Sequence, residues 1–201
     1  MAAAAFGPAS LAPLALLAVL TPRLSREDRR VLAENMGAIL AGSGIELARS
    51  YMLVAYLPYL NKHPYILAML PTFNAENGAA LGAIASRVST QLHLGLYQGG
   101  VAAILADAAR AYLSCIPAYL FTATVVATTF HSIRVLLTLA LLSLTAGLIV
   151  DTVMVVVAHL LSRIGFSRGL DPDNIVIPFV ETITDTTGTI TMLALAAVIA
   201  A

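Results

Sequence analysis

Residues 169–188 read GLDPDNIVIPFVETITDTTG and open an apolar segment that runs on to Ala201. Three carboxylates, Asp173, Glu181 and Asp185, lie in or beside it. Steps of four connect Asp173, Ile177, Glu181 and Asp185, so a helix sets the three acids along one stripe. An ionised carboxylate in a segment of lipid-spanning length is costly unless something offsets its charge. A metal cation does so most simply, and the stretch therefore predicts a membrane helix that handles cations.

The rest of the chain agrees with a membrane setting. It has 201 residues, 59% of them apolar and only 11% charged, with no net charge. Several long apolar runs give it room for about five or six spans of roughly 20 residues each, and leave none for a soluble catalytic domain. The predicted class is all-α, a polytopic membrane protein in the lipid bilayer. No basic stripe interleaved with aromatics points to nucleic acid. The single cysteine, Cys115, excludes an internal disulfide and a cysteine-based metal cage, and reads as a small packing residue.

The first twenty residues, MAAAAFGPASLAPLALLAVL, lack a basic leader, and Pro8 and Pro13 interrupt any helix. They predict a short interfacial or re-entrant helix ending near Leu20, with a sixth span as the alternative. The stretch TPRLSREDRR then marks a membrane boundary. Residues 1–30 are thus an N-terminal interfacial segment and basic boundary, and 31–201 the membrane domain.

Five spans are expected: Ala33 to Leu57, Tyr65 to Leu92, Leu96 to Ala127, Ile133 to Leu161, and a last one after the Arg163–Pro172 loop. The second carries LPTFNAENG at membrane depth. Its Pro71, Asn74, Glu76, Asn77 and Gly78 predict a broken or distorted helix against protein or a wet cavity. With the N-terminus cytoplasmic, the inner side holds Arg23, Arg26, Arg29, Arg30, Arg87, Arg163 and Arg168. The outer side holds Lys62 and Arg134, as the positive-inside rule requires. An odd number of spans leaves an unpaired unit, which suits a homodimer.

Every span carries an acid: Glu46, Glu76, Asp107, Asp151, and the Glu181/Asp185 pair. Glu46 with Arg49, and Asp107 with Arg110, are spaced i,i+3 and can neutralise one another on one helix face. Glu76, Asp151, Glu181 and Asp185 have no basic residue within one turn of their own helix. Two like charges at i,i+4 repel unless a cation joins them or one is protonated and bonded to nearby threonines. Carboxylate, amide and hydroxyl oxygens suit hard cations such as Mg²⁺, Ca²⁺, Mn²⁺ or Na⁺. The four histidines, at 63, 93, 131 and 159, show no paired metal-ligand spacing, so a zinc or copper site is not expected. No G-x-G-D-like element accompanies Asp151 and Asp185, and DPDN lacks the spacing of an alcohol-phosphotransferase signature. An enzyme is therefore not expected.

LPTFNAENGAALGAIASRVST (70–90) and GLDPDNIVIPFVETITDTTG (169–188) together resemble the membrane domain of the MgtE and solute-carrier Mg²⁺ transporters. The first matches the family's proline-led second helix and its A-S-R-L-S-T-like run, here Ala85, Ser86, Arg87, Val88, Ser89 and Thr90. The second matches the family's P-D-N…P…D element, here Pro172, Asp173, Asn174, Pro178 and Asp185. The resemblance covers about Val31 to the C-terminus. It implies a five-helix unit that pairs, as a homodimer or with a homologous half, around a cation path at the pseudo-twofold axis. It further implies that Asp185 lines that path and holds hydrated Mg²⁺, with the break from Pro71 to Gly78 also facing it. Many members have Gly-Asn where this chain has Gly78-Ala79, and Glu76 stands as the substitute oxygen ligand.

The expected metal-ligating residues are Asp185, Glu76, Glu181, Asp151, Asn77 and Asp173, with Asp173 at the cytoplasmic mouth. The expected function is transport of divalent cations, Mg²⁺ first, across the cell membrane along a carboxylate-lined path at a dimer interface. An exchanger coupled to Na⁺ or H⁺ is the alternative, and a non-transporting scaffold or cation sensor a further one. Bacterial members carry cytoplasmic Mg²⁺-sensing domains. None is expected here, so gating falls to the membrane domain or to a partner.

Overall fold

Why each helix starts and stops is visible in its flanking residues. A computed structural model describes residues 24–199 and arranges them as five helices. The predicted interfacial or re-entrant helix at residues 1–20 lies outside the described residues. Helix α1 (Arg26–Leu60) begins at a capping box: Ser25 Oγ accepts from the Asp28 N–H at 3.1 Å, and Asp28 Oδ2 accepts from the Ser25 N–H at 3.1 Å. Glu27 and Asp28 add negative charge where the helix dipole favours it. Pro64 opens α2 (Pro64–His93), where a missing N–H costs nothing.

Helix α3 (Val101–Thr129) follows a linker in which Gly95 takes φ +67°. Ser132 caps α4 (Ile133–Ser167) by accepting from the Val135 N–H at 3.4 Å. Helix α4 ends in a Schellman motif with Gly169 at φ +73°. There the Leu170 N–H donates to the Gly165 carbonyl at 3.1 Å, and that of Gly169 to Phe166 at 3.0 Å. Helix α5 (Pro172–Ile199) follows at once.

Successive helices run in opposite directions, so the start of α1, the α2–α3 linker and the α4–α5 turn share one end of the bundle. An Arg30 guanidinium bonded to the Gly169 carbonyl ties two of these elements together. Arg26, Arg29, Arg163 and Arg168 lie toward this basic end.

Helices α2, α4 and α5 pack against one another, α3 packs on α2 and α4, and α1 lies mainly along α5. The core is built from side chains such as Phe73, Leu81, Tyr119, Leu142, Met154 and Met192, all essentially inaccessible. Lipid tails offer helices little hydrophobic reason to associate, so close packing through small residues carries the interface. Gly147 lies under the Tyr119 ring, and Gly188 lies against Asn74 and Phe73. Helix α1 is peripheral, burying only Ala38, Gly42 and Leu60.

Among the described residues four helices, α1, α3, α4 and α5, are long and apolar enough to cross a membrane. Helix α2 is as long at 30 residues, but Asn74, Glu76 and Asn77 dilute its apolar character. Its place in the bundle is nonetheless interior, between α3, α4 and α5.

Of the broken or distorted helix expected in the second span, the break does not occur, while Asn74, Asn77 and Gly78 are buried in protein. Helix α2 runs unbroken through Pro71 and on past Gly78. Its polar side chains find partners without opening the backbone: Asn74 Nδ2 donates to Thr189 Oγ1 at 2.9 Å, and Asn77 Nδ2 to the Phe73 carbonyl at 2.6 Å. Proline removes one backbone donor, which a long, well-packed helix can absorb. Other boundaries move: α1 begins at Arg26 and ends at Leu60, outside the expected Ala33 to Leu57 at both ends. Helix α3 begins at Val101, after the glycines of the linker, and α4 extends to Ser167, which shortens the loop before α5.

Candidate cation site

Asp185 sits close to the midpoint of α5, and Glu181 one turn nearer the basic end. Both look toward α2 where that helix has no side chains. A Cβ on Gly78 would lie 4.0 Å from Asp185 Oδ1 and 4.0 Å from Glu181 Cγ, and one on Gly82 would lie 3.4 Å from Glu181 Oε1. The stretch Gly78–Gly82 is thus a smooth strip opposite two carboxylates. Glu181 is exposed on the bundle surface, and about a third of the Asp185 side chain is open. Next to Asp185, a cavity of about 250 Å³ is lined by Arg49, Pro71, Asn74 and Thr189, among others.

Asp185 is not without a basic neighbour. Arg49, reaching over from α1, approaches Asp185 Oδ2 at 3.4 Å while its other terminal nitrogen pairs with Glu46. Spacing along α1 alone assigned Arg49 to Glu46. The structure confirms that pair and adds the cross-helix one, so Arg49 joins two acids.

The other expected ligands fall elsewhere. Glu76 turns to the opposite side of α2, where Thr122 Oγ1 on α3 donates to Glu76 Oε1 at 2.9 Å. Asn77 is fully buried, and its Oδ1 accepts from the Tyr119 hydroxyl at 2.7 Å. Asp151 on α4 is fully buried, and neither of its carboxylate oxygens has a hydrogen-bond partner among the described residues. These three polar residues belong to the α2–α3–α4 interior. Asp173 is exposed in the first turn of α5, about 18 Å along the helix axis from Asp185. A 3.6-residue turn also rotates it about 120° from Asp185, so the stripe drifts around the helix. Only Glu181 and Asp185 of the expected set share one open face. Among the described residues, no three His, Cys, Asp or Glu side chains converge as a ready metal cluster.

A second polar group escaped sequence reasoning. Asp107 on α3, nearly inaccessible, pairs with Arg87 of α2 and, at 2.5 Å, with Arg110. Its Oδ2 lies 3.1 Å from His159 Nε2, and His159 Nδ1 lies 3.0 Å from the Tyr97 hydroxyl. The i,i+3 spacing of Asp107 and Arg110 foretold one contact of four. A lone histidine within the apolar run of α4 was the available signal for the rest.

Long antiparallel apolar helices define a polytopic membrane protein, and midway along α5 two of its carboxylates face a glycine strip. The family model of MgtE, the divalent cation transporters, matches residues 70–195, from within α2 to within α5. The chain belongs to that family, which is one of transporters and not of enzymes. No curated protein and no solved structure matches the chain.

Proposed function

We propose that the chain carries Mg²⁺ across the cell membrane as a dimer, along a path between the α2–α5 faces of two copies or of one copy and a homologous half. All five helices then cross the bilayer, with the N-terminus cytoplasmic, and the transport unit comprises residues 31–201. One observation carries this reading: Glu181 and Asp185 open onto the bundle surface at membrane depth, opposite Gly78 and Gly82. Carboxylates at that depth do not face lipid but protein or water. A second α2–α5 face supplies both, and the glycine strip leaves room for a hydrated ion. Mg²⁺ holds its waters tightly and binds through one or two carboxylates, which suits a sparse acidic wall.

In this reading Asp185 is the principal ligand, with Glu181 its helper. Asp173 gathers cations at the cytoplasmic mouth. Glu76, Asn77 and Asp151 form the polar backing of α2. The negative-inside potential drives entry, worth about 4.6 kcal/mol for two charges per 100 mV.

Flux of Mg²⁺ into liposomes holding the purified protein tests the proposal. Asp185→Asn is expected to cut that flux at least about tenfold, the loss of one charge-assisted contact at the ion. Unchanged flux and binding in Asp185→Asn would remove this residue from the path. Flux that vanishes without a Na⁺ or pH gradient would instead assign the coupled exchanger.

A further inference from the structure

We propose that the cavity between α2, α3 and α4 at the basic end binds the phosphate group of an anionic membrane lipid. The cavity measures about 340 Å³ and is lined by Arg87, Gln91, Gln98, Asp107, Arg110 and His159, among others. Its sign is wrong for the transported ion. Asp107 is its one acid, buried at the back, and it is shared by two guanidinium groups. One carboxylate cannot neutralise both. The side chains of Arg87 and Arg110 remain 40% and 59% exposed, so their charge stays open to an incoming group.

Arg163, whose guanidinium carbon lies 6.0 Å from the centre of the Tyr97 ring, adds a third positive group beside the rim. Asp107 and His159 act as a base plate. His159 is fixed between Asp107 and the Tyr97 hydroxyl, and the carboxylate in turn holds the two arginines side by side. Paired guanidinium groups with amide donors around them match a phosphate, which takes several charge-assisted hydrogen bonds at once.

Depth selects the source of that phosphate. Helix α2, at 30 residues, is about 45 Å long against a hydrocarbon core of about 30 Å, so about 7 Å projects at each end. Arg87 lies six residues before His93, about 9 Å from the helix end, and Asp107 lies equally far from the start of α3. The cavity therefore falls where hydrocarbon gives way to headgroups. Basic pockets between helices at this level suit lipid headgroups.

The test uses the purified full chain in detergent, with thermal unfolding and native mass spectrometry read against added phosphatidylglycerol, phosphatidylcholine or inorganic phosphate. Phosphatidylglycerol is expected to be retained and to raise the melting temperature, and phosphatidylcholine to do neither. Arg110→Gln should weaken phosphatidylglycerol retention about fivefold, the effect of one basic group near the surface. Asp107 keeps Arg87 and His159 in that variant, so the fold is preserved. Gln98→Glu, which adds a negative charge from the linker, should weaken retention as much, and Arg134→Gln at the opposite end should not. A response to inorganic phosphate equal to that of the lipid overturns the lipid assignment in favour of a soluble anion. Equal retention of phosphatidylglycerol by the parent chain and both cavity variants overturns the site itself.

Discussion

Arg49 holds Asp185 at 3.4 Å and Glu46 more closely, which makes it a resident cation beside the carboxylate proposed to receive a transported one. A unit-charge pair at that separation is worth about 1 to 5 kcal/mol, depending on how much water reaches it. A divalent ion arriving at Asp185 has to displace this contact, while Glu46 keeps the guanidinium from straying. Arg49→Gln is therefore expected to tighten Mg²⁺ binding at least about fivefold, measured by titration calorimetry on the purified protein. An affinity equal to that of the parent chain would mean that Arg49 does not compete for the site. The sequence announced Asp185 as an acid needing compensation, because charge at membrane depth is costly wherever the helix points. It gave no sign of Arg49 as partner, because the contact joins helices whose residues lie 136 positions apart. The same holds for Asp107, whose neighbour on its own helix was legible while Arg87 and His159 were not.

Close approach between helices depends on a few positions without side chains. A Cβ on Gly147 would lie 2.5 Å from the Tyr119 ring, which is fully buried and fixed by its hydroxyl bond to Asn77. The ring has no room to withdraw, so Gly147→Ala should separate α3 from α4 and cost about 1–3 kcal/mol. A lower melting temperature in detergent is the expected readout. Gly44→Ala on α1 is the control, since a Cβ there meets nothing within 4 Å. It should leave the melting temperature unchanged or raise it, because alanine favours helix over glycine by about 1 kcal/mol. If Gly147→Ala melts with the parent chain, Tyr119 is freer than its packing indicates. The helices themselves were readable from apolar run length and punctuation: α2 starts one residue from its expected position, and α4 starts where expected. Whether α2 breaks is not legible in the sequence, because polar residues at membrane depth need partners and either an opened backbone or neighbouring side chains can supply them. Here Thr122, Tyr119 and Thr189 do so, and the helix stays whole.

The surfaces of the bundle divide into two kinds. Helix α4 turns large apolar groups such as Leu137, Leu141 and Leu160 outward, a lipid-facing surface. Beyond Leu67, the outward side of α2 from Pro71 to Ala79 is made of Pro71, Thr72, Ala75 and Ala79, small or polar residues beside the open Glu181. Small residues at an exposed position do little in lipid but allow two helices to approach closely. For the dimer proposed above, that contrast favours the α2–α5 side as the seat of the second copy, so α2 of one protomer should run near α2 of the other across the proposed path. The prediction is read by oxidative cross-linking in native membranes, in a Cys115→Ala background. Cysteines introduced by Ala75→Cys and Ala79→Cys should give disulfide-linked dimers, whereas Leu137→Cys on the apolar side should stay monomeric on a denaturing gel. Disulfides need Cα atoms within about 7 Å, so the cross-link reports contact and not mere co-residence in the membrane. Millimolar Mg²⁺ should alter the yield at Ala79→Cys, beside Gly78 and the acids, more than at Ala75→Cys one turn away. Dimers formed through Leu137→Cys instead would move the interface to α4, leaving Glu181 without a facing copy and the proposed path without its second wall.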